Sequence, residues 1–227
     1  FLWLLMNGFI SLNQLAYGQA TIEERMAIDS GTQFEKHVKV FQNDPYPENI
    51  SPAAKQELYE IVSKVDKLTN EEWRKRCFFI DRQLGKYLNG YAQKAGMRQF
   101  KSIFEQVNHL YLNSLIYQTK YYYNRLRPNQ LAYYLKIGLT SANTSTGHTP
   151  SYPSGHTLQA HFYTKLISDV MNIPWEDEAT REVAASRMSM GIHYKTDNDF
   201  AIKISEYLLD TDEYKELVEN IRKELNV

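Results

Sequence analysis

The apolar residues of this 227-residue chain recur at the spacing of an α-helix and almost never alternate as they do in a β-strand. The clearest example is the segment from about Gln99 to Tyr123, where apolar side chains stand at Phe100, Ile103, Phe104, Val107, Leu110, Tyr111 and Leu115. A stripe of this width is usually buried against other helices. The pattern therefore predicts an all-α protein.

Helix start signals divide the N-terminal part of the chain into several helices. They stand at Thr21–Glu24, Ser51-Pro52 and Thr69–Glu72. We expect the last of these helices to run into the region of Tyr91 and the chain to break at Gly96. Because one core suffices for this length, we predict a single-domain helical bundle, with residues 1–98 as an N-terminal helical region packed on a core of 99–227.

Composition excludes several classes of protein. The chain has 26 basic and 27 acidic residues and a net charge of −1, whereas a dedicated nucleic-acid binder would show a basic excess. Its single cysteine, Cys77, excludes an internal disulfide bond. No apolar run approaches 20 residues, so the sequence predicts a soluble protein without a transmembrane segment. Any basic site must be local.

The first twenty residues allow two interpretations. Phe1–Met6 and Phe9–Leu12 are apolar, and Ala16–Ala20 has a small-x-small ending similar to a signal-peptide cleavage site. However, Asn7 and Asn13 interrupt the apolar run, and no basic region precedes it. We favour an amphipathic helix that packs on the rest of the protein, and export stays open.

A proline-punctuated turn leads directly into an apolar-periodic segment. Pro153-Ser154-Gly155-His156 precedes the predicted helix Leu158–Met171. The first turn of a helix offers unpaired backbone N–H groups and the positive end of the helix dipole, which together suit a bound anion. His156 would lie beside that anion.

Two cations stand at the end of the long predicted helix. Lys120 and Arg127 are seven residues apart, so both would project from one face if the helix continued to Pro128. Between them, Arg125 is expected to be a surface residue. The neighbouring tyrosines could form a stacking platform for single-stranded nucleic acid, but the charge balance disfavours it. We therefore predict no nucleic-acid partner.

A third group of residues completes a site for a tetrahedral oxyanion. Arg187 is followed by His193 and, four residues later, by Asp197, a spacing that allows the carboxylate to reach the histidine. Spread negative charge needs several converging donors, and three cations with a helix N-terminus provide them. One of the two histidines, His156 and His193, can attack and the other can move a proton, while Asp197 orients the attacking ring.

Other residues are assigned simpler roles. Residues 138–151 form a polar loop, suited to be a lid or a substrate-selecting wall, and its His148 is expected to be a solvent-exposed loop residue. His37, His109 and His161 are expected to be structural or surface residues. Because no metal-ligand motif is present, we predict neither a metal site nor a cofactor.

Taken together, these motifs resemble a known three-part signature. Lys120-x6-Arg127-Pro128, Pro153-Ser154-Gly155-His156 and Ser186-Arg187-x5-His193-x3-Asp197 are similar to the signature of the type-2 phosphatidic-acid-phosphatase superfamily, which bacterial class A acid phosphatases and vanadium-dependent haloperoxidases share. The resemblance covers Lys120 to Asp197. Within the superfamily, Ser151-Tyr152 and the chain length are most similar to the soluble class A acid phosphatases.

The resemblance implies a role for each residue. His193 would be the nucleophile that forms a phosphohistidine, and His156 would protonate the leaving oxygen and later activate water, with Asp197 as the third catalytic residue. The implied phosphate-binding residues are Lys120, Arg127, Ser154, Gly155 and Arg187. The implied fold is the helical bundle of acid phosphatases and haloperoxidases, here with extra N-terminal helices.

The sequence therefore predicts a metal-independent acid phosphatase that acts on small phosphate monoesters. One alternative is a vanadium-dependent haloperoxidase, which would hold vanadate as its cofactor on His193. Another is a non-catalytic bundle that binds a phosphorylated ligand. The natural substrate, assembly into a homo-oligomer, and a periplasmic or secreted location are left open by the sequence.

Overall fold

The computed structural model describes residues 20–227, and every regular element in that range is a helix. The all-α prediction is confirmed. The α-helices are α1 (Ile22–Asp29), α2 (Glu35–Val38), α3 (Pro52–Val65), α4 (Glu71–Arg82), α5 (Leu84–Lys94), α6 (Phe100–Val107), α7 (Asn113–Tyr123), α8 (Pro128–Leu135), α9 (Gly155–Met171), α10 (Glu178–Ser189), α11 (Lys195–Leu209) and α12 (Asp212–Leu225). The predicted N-terminal amphipathic helix lies outside the described residues.

Two predicted helix starts are confirmed by their capping contacts, and the third lies one residue later than predicted, because Asn70 and not Thr69 is its N-cap. The Thr21 hydroxyl accepts from the Glu24 amide, while the Glu24 carboxylate accepts from the Thr21 amide. Ser51 Oγ accepts from the Ala54 amide at 3.1 Å, and Asn70 Oδ1 accepts from the Trp73 amide at 2.9 Å. Side-chain acceptors thus satisfy first-turn N–H groups that have no partner within the helix.

One predicted helix length is wrong. The helix that begins after Asn70 ends at Arg82 and does not run on to Tyr91, because Gln83 leaves the helical conformation with a φ of −138° and a ψ of 37°. The predicted helix of about residues 99–123 is present from Phe100 to Tyr123, and a π-helical turn, Asn108–Leu112, separates its parts α6 and α7. The predicted break at Gly96 is present, with a φ of +85°.

Helix α9 is the centre of the bundle. It is buried on most of its surface and packs against α5, α10, α11 and α12. A helix that is buried on nearly all sides must be surrounded by other helices. Its N-terminal end, Gly155, therefore lies inside the protein, where neighbouring elements can converge on it.

The N-terminal helices pack directly on this core. Helix α1 contacts α7, α3 contacts α8 and α10, α4 contacts α10, and α5 contacts α9. One cluster of buried apolar side chains includes residues from both sides of position 98. The division of the chain at residue 98 stays a prediction.

None of the helices in residues 20–227 has the length and apolar character needed to cross a membrane.

The turn between α10 and α11 depends on a glycine. Gly191 has a φ of +71°, in the left-handed region that side chains disfavour. A Cβ there would stand 2.9 Å from Val65 Cγ2 and 3.2 Å from Ser141 Cα. The absence of a side chain lets α3 and the polar loop approach closely, two residues before His193.

Candidate active site

The residues predicted from the three motifs meet around one cavity at the N-terminal end of α9. The cavity has a volume of about 270 Å³. Its lining residues are Asn113, Ile116, Tyr117, Lys120, Arg127, Ser145, Thr146, His148, Thr149, Gly155, His156, Gln159, Arg187 and His193. Six of the eight predicted site residues are among them.

His193 is held in one orientation from both sides of its ring. Nδ1 lies 3.0 Å from Asp197 Oδ2, and Nε2 lies 3.0 Å from Arg127 Nη1. Since an arginine N–H can only donate, Nε2 is the acceptor and carries a lone pair, which assigns the proton to Nδ1. Burial, with Arg127 and Lys120, holds the pKa of His193 well below its ordinary value. The ring is therefore neutral and has its unprotonated nitrogen at the cavity.

Asp197 lies behind His193 and does not line the cavity. Its side chain is fully buried, and Oδ2 also accepts from the Tyr194 amide at 3.0 Å. Burial raises the pKa of this carboxyl, while Arg125 opposes that shift. The spacing argument is confirmed here, because Asp197 lies in the first turn of α11 and reaches back to a residue just before the helix.

The three predicted cations reach the cavity from separate elements. The helix does not continue to Pro128, so Lys120 and Arg127 do not project from one helix face. Helix α7 ends at Tyr123, and Asn124 adopts a left-handed φ of 47°. Arg127 instead stands in extended conformation immediately before α8. The reversal of the chain at Asn124 brings both side chains to the cavity.

Each cation is fixed by neutral or acidic acceptors. Lys120 Nζ donates to the Pro150 carbonyl at 2.5 Å, and Arg127 donates to the carbonyls of Thr149 and Ile192 at 2.7 and 2.8 Å. Arg187 Nη1 donates to a carboxylate oxygen of Asp81 at 2.6 Å. These contacts fix three positive groups in position before any ligand arrives.

The described lining of the cavity contains the basic side chains of Lys120, Arg127 and Arg187 and no acidic side chain. Lys120, Arg127 and Arg187 are each at most 4% exposed, and burial together with Arg127 holds the pKa of Lys120 well below its ordinary value. Arg187 Nε is buried without a hydrogen-bond acceptor among the described residues. Because an uncompensated buried charge is costly, this arrangement favours an anion in the cavity.

Of the two residues at the start of α9 that were predicted to bind phosphate, Gly155 lines the cavity and Ser154 does not. Gly155 lines the cavity, and an added Cβ would lie 3.4 Å from Ile116 Cγ2. Ser154, predicted to bind phosphate, is not in the cavity lining. Its hydroxyl donates to Thr157 Oγ1 at 3.0 Å and its amide to the Asp197 carbonyl at 3.0 Å. Ser154 thus anchors the start of α9 to α11.

His156, in the first turn of α9, also lines the cavity. Its Nε2 donates to the Asp81 carbonyl at 3.0 Å, so Nδ1 is the ring nitrogen available for proton exchange. Burial and the neighbouring Arg187 lower the pKa of His156 to about 3. In the absence of an anion this ring is therefore neutral at mildly acidic pH.

The expectation that Arg125 is a surface residue is wrong. Its side chain is 1% exposed and donates to Asp197 Oδ1 at 2.6 Å and to Glu57 Oε2 at 2.8 Å. The cause is the same left-handed residue, Asn124, that ends α7 and directs the following residues inward. Sequence spacing could not reveal this, because it assumes that the helix continues.

Asp81 is a site residue that sequence reasoning missed. Its buried carboxylate binds Arg187 and accepts hydrogen bonds from the hydroxyls of Thr144 and Thr146, while its carbonyl holds His156. Although burial opposes it, Arg187 keeps the pKa of Asp81 below its ordinary value. One signal was present, since Asp81 is an acid on the face of α4 that buries Cys77 and Ile80.

The polar loop forms one wall of the cavity, as predicted from its composition. Ser145, Thr146, His148 and Thr149 line the cavity. The His148 side chain is 57% exposed, in agreement with the expectation of an exposed loop residue, and its Nε2 lies 2.9 Å from the Glu24 carboxylate. Helix α1 is thereby connected to the wall of the site.

The remaining histidines lie away from the cavity lining. His161 is buried and its Nδ1 lies 2.8 Å from Ser205 Oγ, His37 contacts Glu213, and His109 is exposed. Residues 20–227 contain no group of three or more His, Cys, Asp or Glu side chains arranged to hold a metal ion. A larger groove, of about 710 Å³, lies between α4, α10 and α11, and neither His156 nor His193 lines it.

Comparison with known proteins gives the same result as the motifs. Residues 106–208 match the family model described as the PAP2 superfamily. That range contains all eight predicted site residues, whereas Glu57 and Asp81 lie before it. No curated protein matches the chain. Residues 106–208 of this chain are therefore similar to the PAP2 superfamily, the type-2 phosphatidic acid phosphatase and haloperoxidase superfamily that its motifs resemble.

Proposed function

We propose that this protein is a metal-independent acid phosphatase that hydrolyses small phosphate monoesters through a phosphohistidine on His193. The observation that carries the proposal is the state of His193, whose unprotonated Nε2 borders a cavity with three cations while Asp197 holds the opposite nitrogen. A protein that only binds phosphate needs the cations but has no use for an oriented nucleophile.

In the first step, the phosphoryl oxygens are held by Lys120, Arg127, Arg187 and the backbone at Gly155. The bound anion competes for the Arg127 N–H and so frees the lone pair of His193 Nε2. His156 Nδ1 takes up the proton that the substrate monoanion carries. The lone pair of His193 Nε2 attacks phosphorus, the bond to the ester oxygen breaks, and the leaving oxygen takes that proton from His156. The products of this step are an alcohol and a phosphohistidine whose positive charge is stabilised by Asp197.

In the second step, water replaces the alcohol. His156 Nδ1 takes a proton from the water, whose oxygen attacks phosphorus, and the bond to His193 Nε2 breaks. The electron pair returns to Nε2 and inorganic phosphate leaves. His156 returns its extra proton to the phosphate before the phosphate leaves, and Nδ1 of His193 has kept its proton throughout, so both rings end neutral, as they began, without another reactant.

The low pKa of His156 predicts how kcat/KM depends on pH. Because the empty site keeps His156 neutral above about pH 3, its proton must arrive with the substrate, whose second pKa is about 6. We expect kcat/KM for an alkyl phosphate to fall tenfold per pH unit above about pH 6. Measurement of kcat/KM between pH 4 and 9 tests this, and a plateau extending beyond pH 8 would contradict it.

Replacement of His156 by alanine is expected to affect substrates unequally. Without a proton donor, a poor leaving group such as an alkoxide must depart with its full charge, whereas nitrophenolate needs little help. We expect kcat to fall about 10²–10⁴-fold for an alkyl phosphate and much less for nitrophenyl phosphate. Equal losses on both substrates would rule out the acid role, and His161→Ala, at a histidine outside the cavity lining, is the matched control.

The proposed function is tested by nitrophenyl phosphate hydrolysis at pH 4 to 8, with EDTA present and with vanadate as inhibitor. Hydrolysis that survives EDTA and falls with vanadate supports a metal-free phosphohistidine phosphatase. If hydrolysis is absent, bromide oxidation by peroxide after addition of vanadate would identify a haloperoxidase instead. Phosphate binding without either activity would identify a binding protein.

A further inference from the structure

A chain of buried charges extends behind the nucleophile, away from the cavity. His193 Nδ1 contacts Asp197, Asp197 Oδ1 accepts from Arg125 Nη1 at 2.6 Å, and Arg125 Nη2 donates to Glu57 Oε2 at 2.8 Å. Glu57 lies in α3, outside the residues matched by the family model. The N-terminal region is thus connected to the nucleophile through three contacts.

The guanidinium group of Arg125 is enclosed and has one geometry. Its carbon lies 4.1 Å from the ring centre of Tyr194, 5.4 Å from that of Tyr46 and 5.7 Å from that of Tyr152. The side chains of Arg125 and Asp197 are 1% and 0% exposed. Electrostatic interactions are strong where water is excluded, so the loss of either charge leaves the other uncompensated.

Glu57 fixes both the arginine and the start of α11. Its two carboxylate oxygens accept from the Thr196 amide at 3.0 Å and from the Thr196 hydroxyl at 2.9 Å. Arg125 Nη1 also donates to that hydroxyl at 2.7 Å. Because Asp197 follows Thr196 directly, the same contacts set the position of the catalytic carboxylate.

We propose that Arg125 is a positioning residue for the reaction, which keeps Asp197 as a carboxylate aimed at His193 Nδ1 while Glu57 holds the guanidinium in place. The inference rests on the proposed function. It also gives the part of the chain before the family-matched residues 106–208 a role in the reaction, because Glu57 lies there and holds Arg125. Arg125 acts through Asp197 and touches neither the substrate nor the reacting atoms.

The charges around Asp197 determine what removal of Arg125 does. The groups that face this carboxyl are Arg125, Lys120, His193, Glu57, Tyr152 and Tyr194. Burial raises the pKa of Asp197, and Arg125 is the main opposing charge. Without Arg125, Asp197 takes up a proton at acidic pH and no longer accepts from His193 Nδ1.

The test is the pH profile of kcat for Arg125→Gln, measured with nitrophenyl phosphate between pH 4 and 9. We expect a loss of at least about 100-fold at pH 5 that becomes smaller as pH rises, because Asp197 then ionises. Arg76→Gln is the matched control, since Arg76 forms a partly exposed ion pair with Glu182 away from the cavity. A uniform loss at all pH values would mean a merely structural role and would overturn the proposal.

Arg125→Lys provides a second variant, for the case in which Arg125→Gln does not fold. Lysine keeps the charge but loses the forked contact with Asp197 and Glu57. We expect its pH profile to keep the wild-type position while kcat falls about tenfold. A profile displaced to higher pH in this variant would contradict the proposal.

A readout without turnover separates this inference from the proposed function. The ¹⁵N chemical shifts of His193 in the wild-type protein should show a protonated Nδ1 and an unprotonated Nε2 between pH 5 and 8, and Arg125→Gln should lose that preference at pH 5. Retention of the preference in the variant would overturn the role of Arg125. Absence of wild-type hydrolysis with the expected spectra would overturn the phosphatase assignment alone.

Discussion

Replacement of His193 by alanine is expected to lower kcat for nitrophenyl phosphate by about 10⁵-fold or more, which is the scale seen when a covalent nucleophile is removed. We propose that the ring supplies the attacking nitrogen, because Asp197 holds its Nδ1 while the ring lines the cavity. Single-turnover assays with ³²P-labelled substrate should show an acid-labile phosphoprotein in the wild type and none in the variant.

The matched control for this variant is His109→Ala, because His109 is exposed and does not line the cavity. We expect it to hydrolyse the substrate at the wild-type rate. Circular dichroism and thermal unfolding of both variants exclude a general loss of the fold. Hydrolysis by His193→Ala at a rate near that of the wild type would remove His193 as the nucleophile.

Replacement of Asp81 by alanine is expected to destabilise the fold by about 3–5 kcal/mol, because it leaves Arg187 as an uncompensated buried cation. The ion pair has a separation of 2.6 Å and neither side chain is exposed. The hydroxyls of Thr144 and Thr146 lose an acceptor as well. Urea unfolding at pH 7 measures the change, and inorganic phosphate should restore part of it by neutralising Arg187.

Two comparisons make this prediction specific to the buried pair. Asp199→Ala removes an exposed ion pair with Lys195 and should cost less than about 1 kcal/mol. Since Arg187 keeps the pKa of Asp81 low, the stabilisation is present above about pH 4 and is lost as the pH falls. The difference between wild type and Asp81→Ala should therefore narrow towards pH 3, and a difference that widens there would contradict the assignment.

The motif residues were found from the sequence because their roles require fixed types at short spacings. A lysine and an arginine before a proline, a glycine and a histidine at a helix start, and a histidine four residues before an aspartate all act within one or two turns of backbone. The helical periodicity and the capping residues follow from equally local physics. These features predicted the all-α class, the superfamily and the residues that meet at the cavity.

The supporting residues could not be found in this way, because their partners are distant in the chain. Asp81 meets Arg187 across 106 positions, and Arg125 meets Glu57 across 68. The reversal at Asn124 determines that Arg125 turns inward, and a pattern of helical spacing carries no information about where the helix ends.

The sequence by itself thus determined which residues could carry the proposed chemistry, since the proposed nucleophile, proton donor and anion-binding cations stand in local motifs. Only the tertiary structure decided the state of those groups. The pKa of a side chain depends on burial and on charges brought from other elements. The neutral His193, the uncharged His156 and the carboxylate fixed by Arg125 and Glu57 therefore follow from the packing of helices that the motifs do not include.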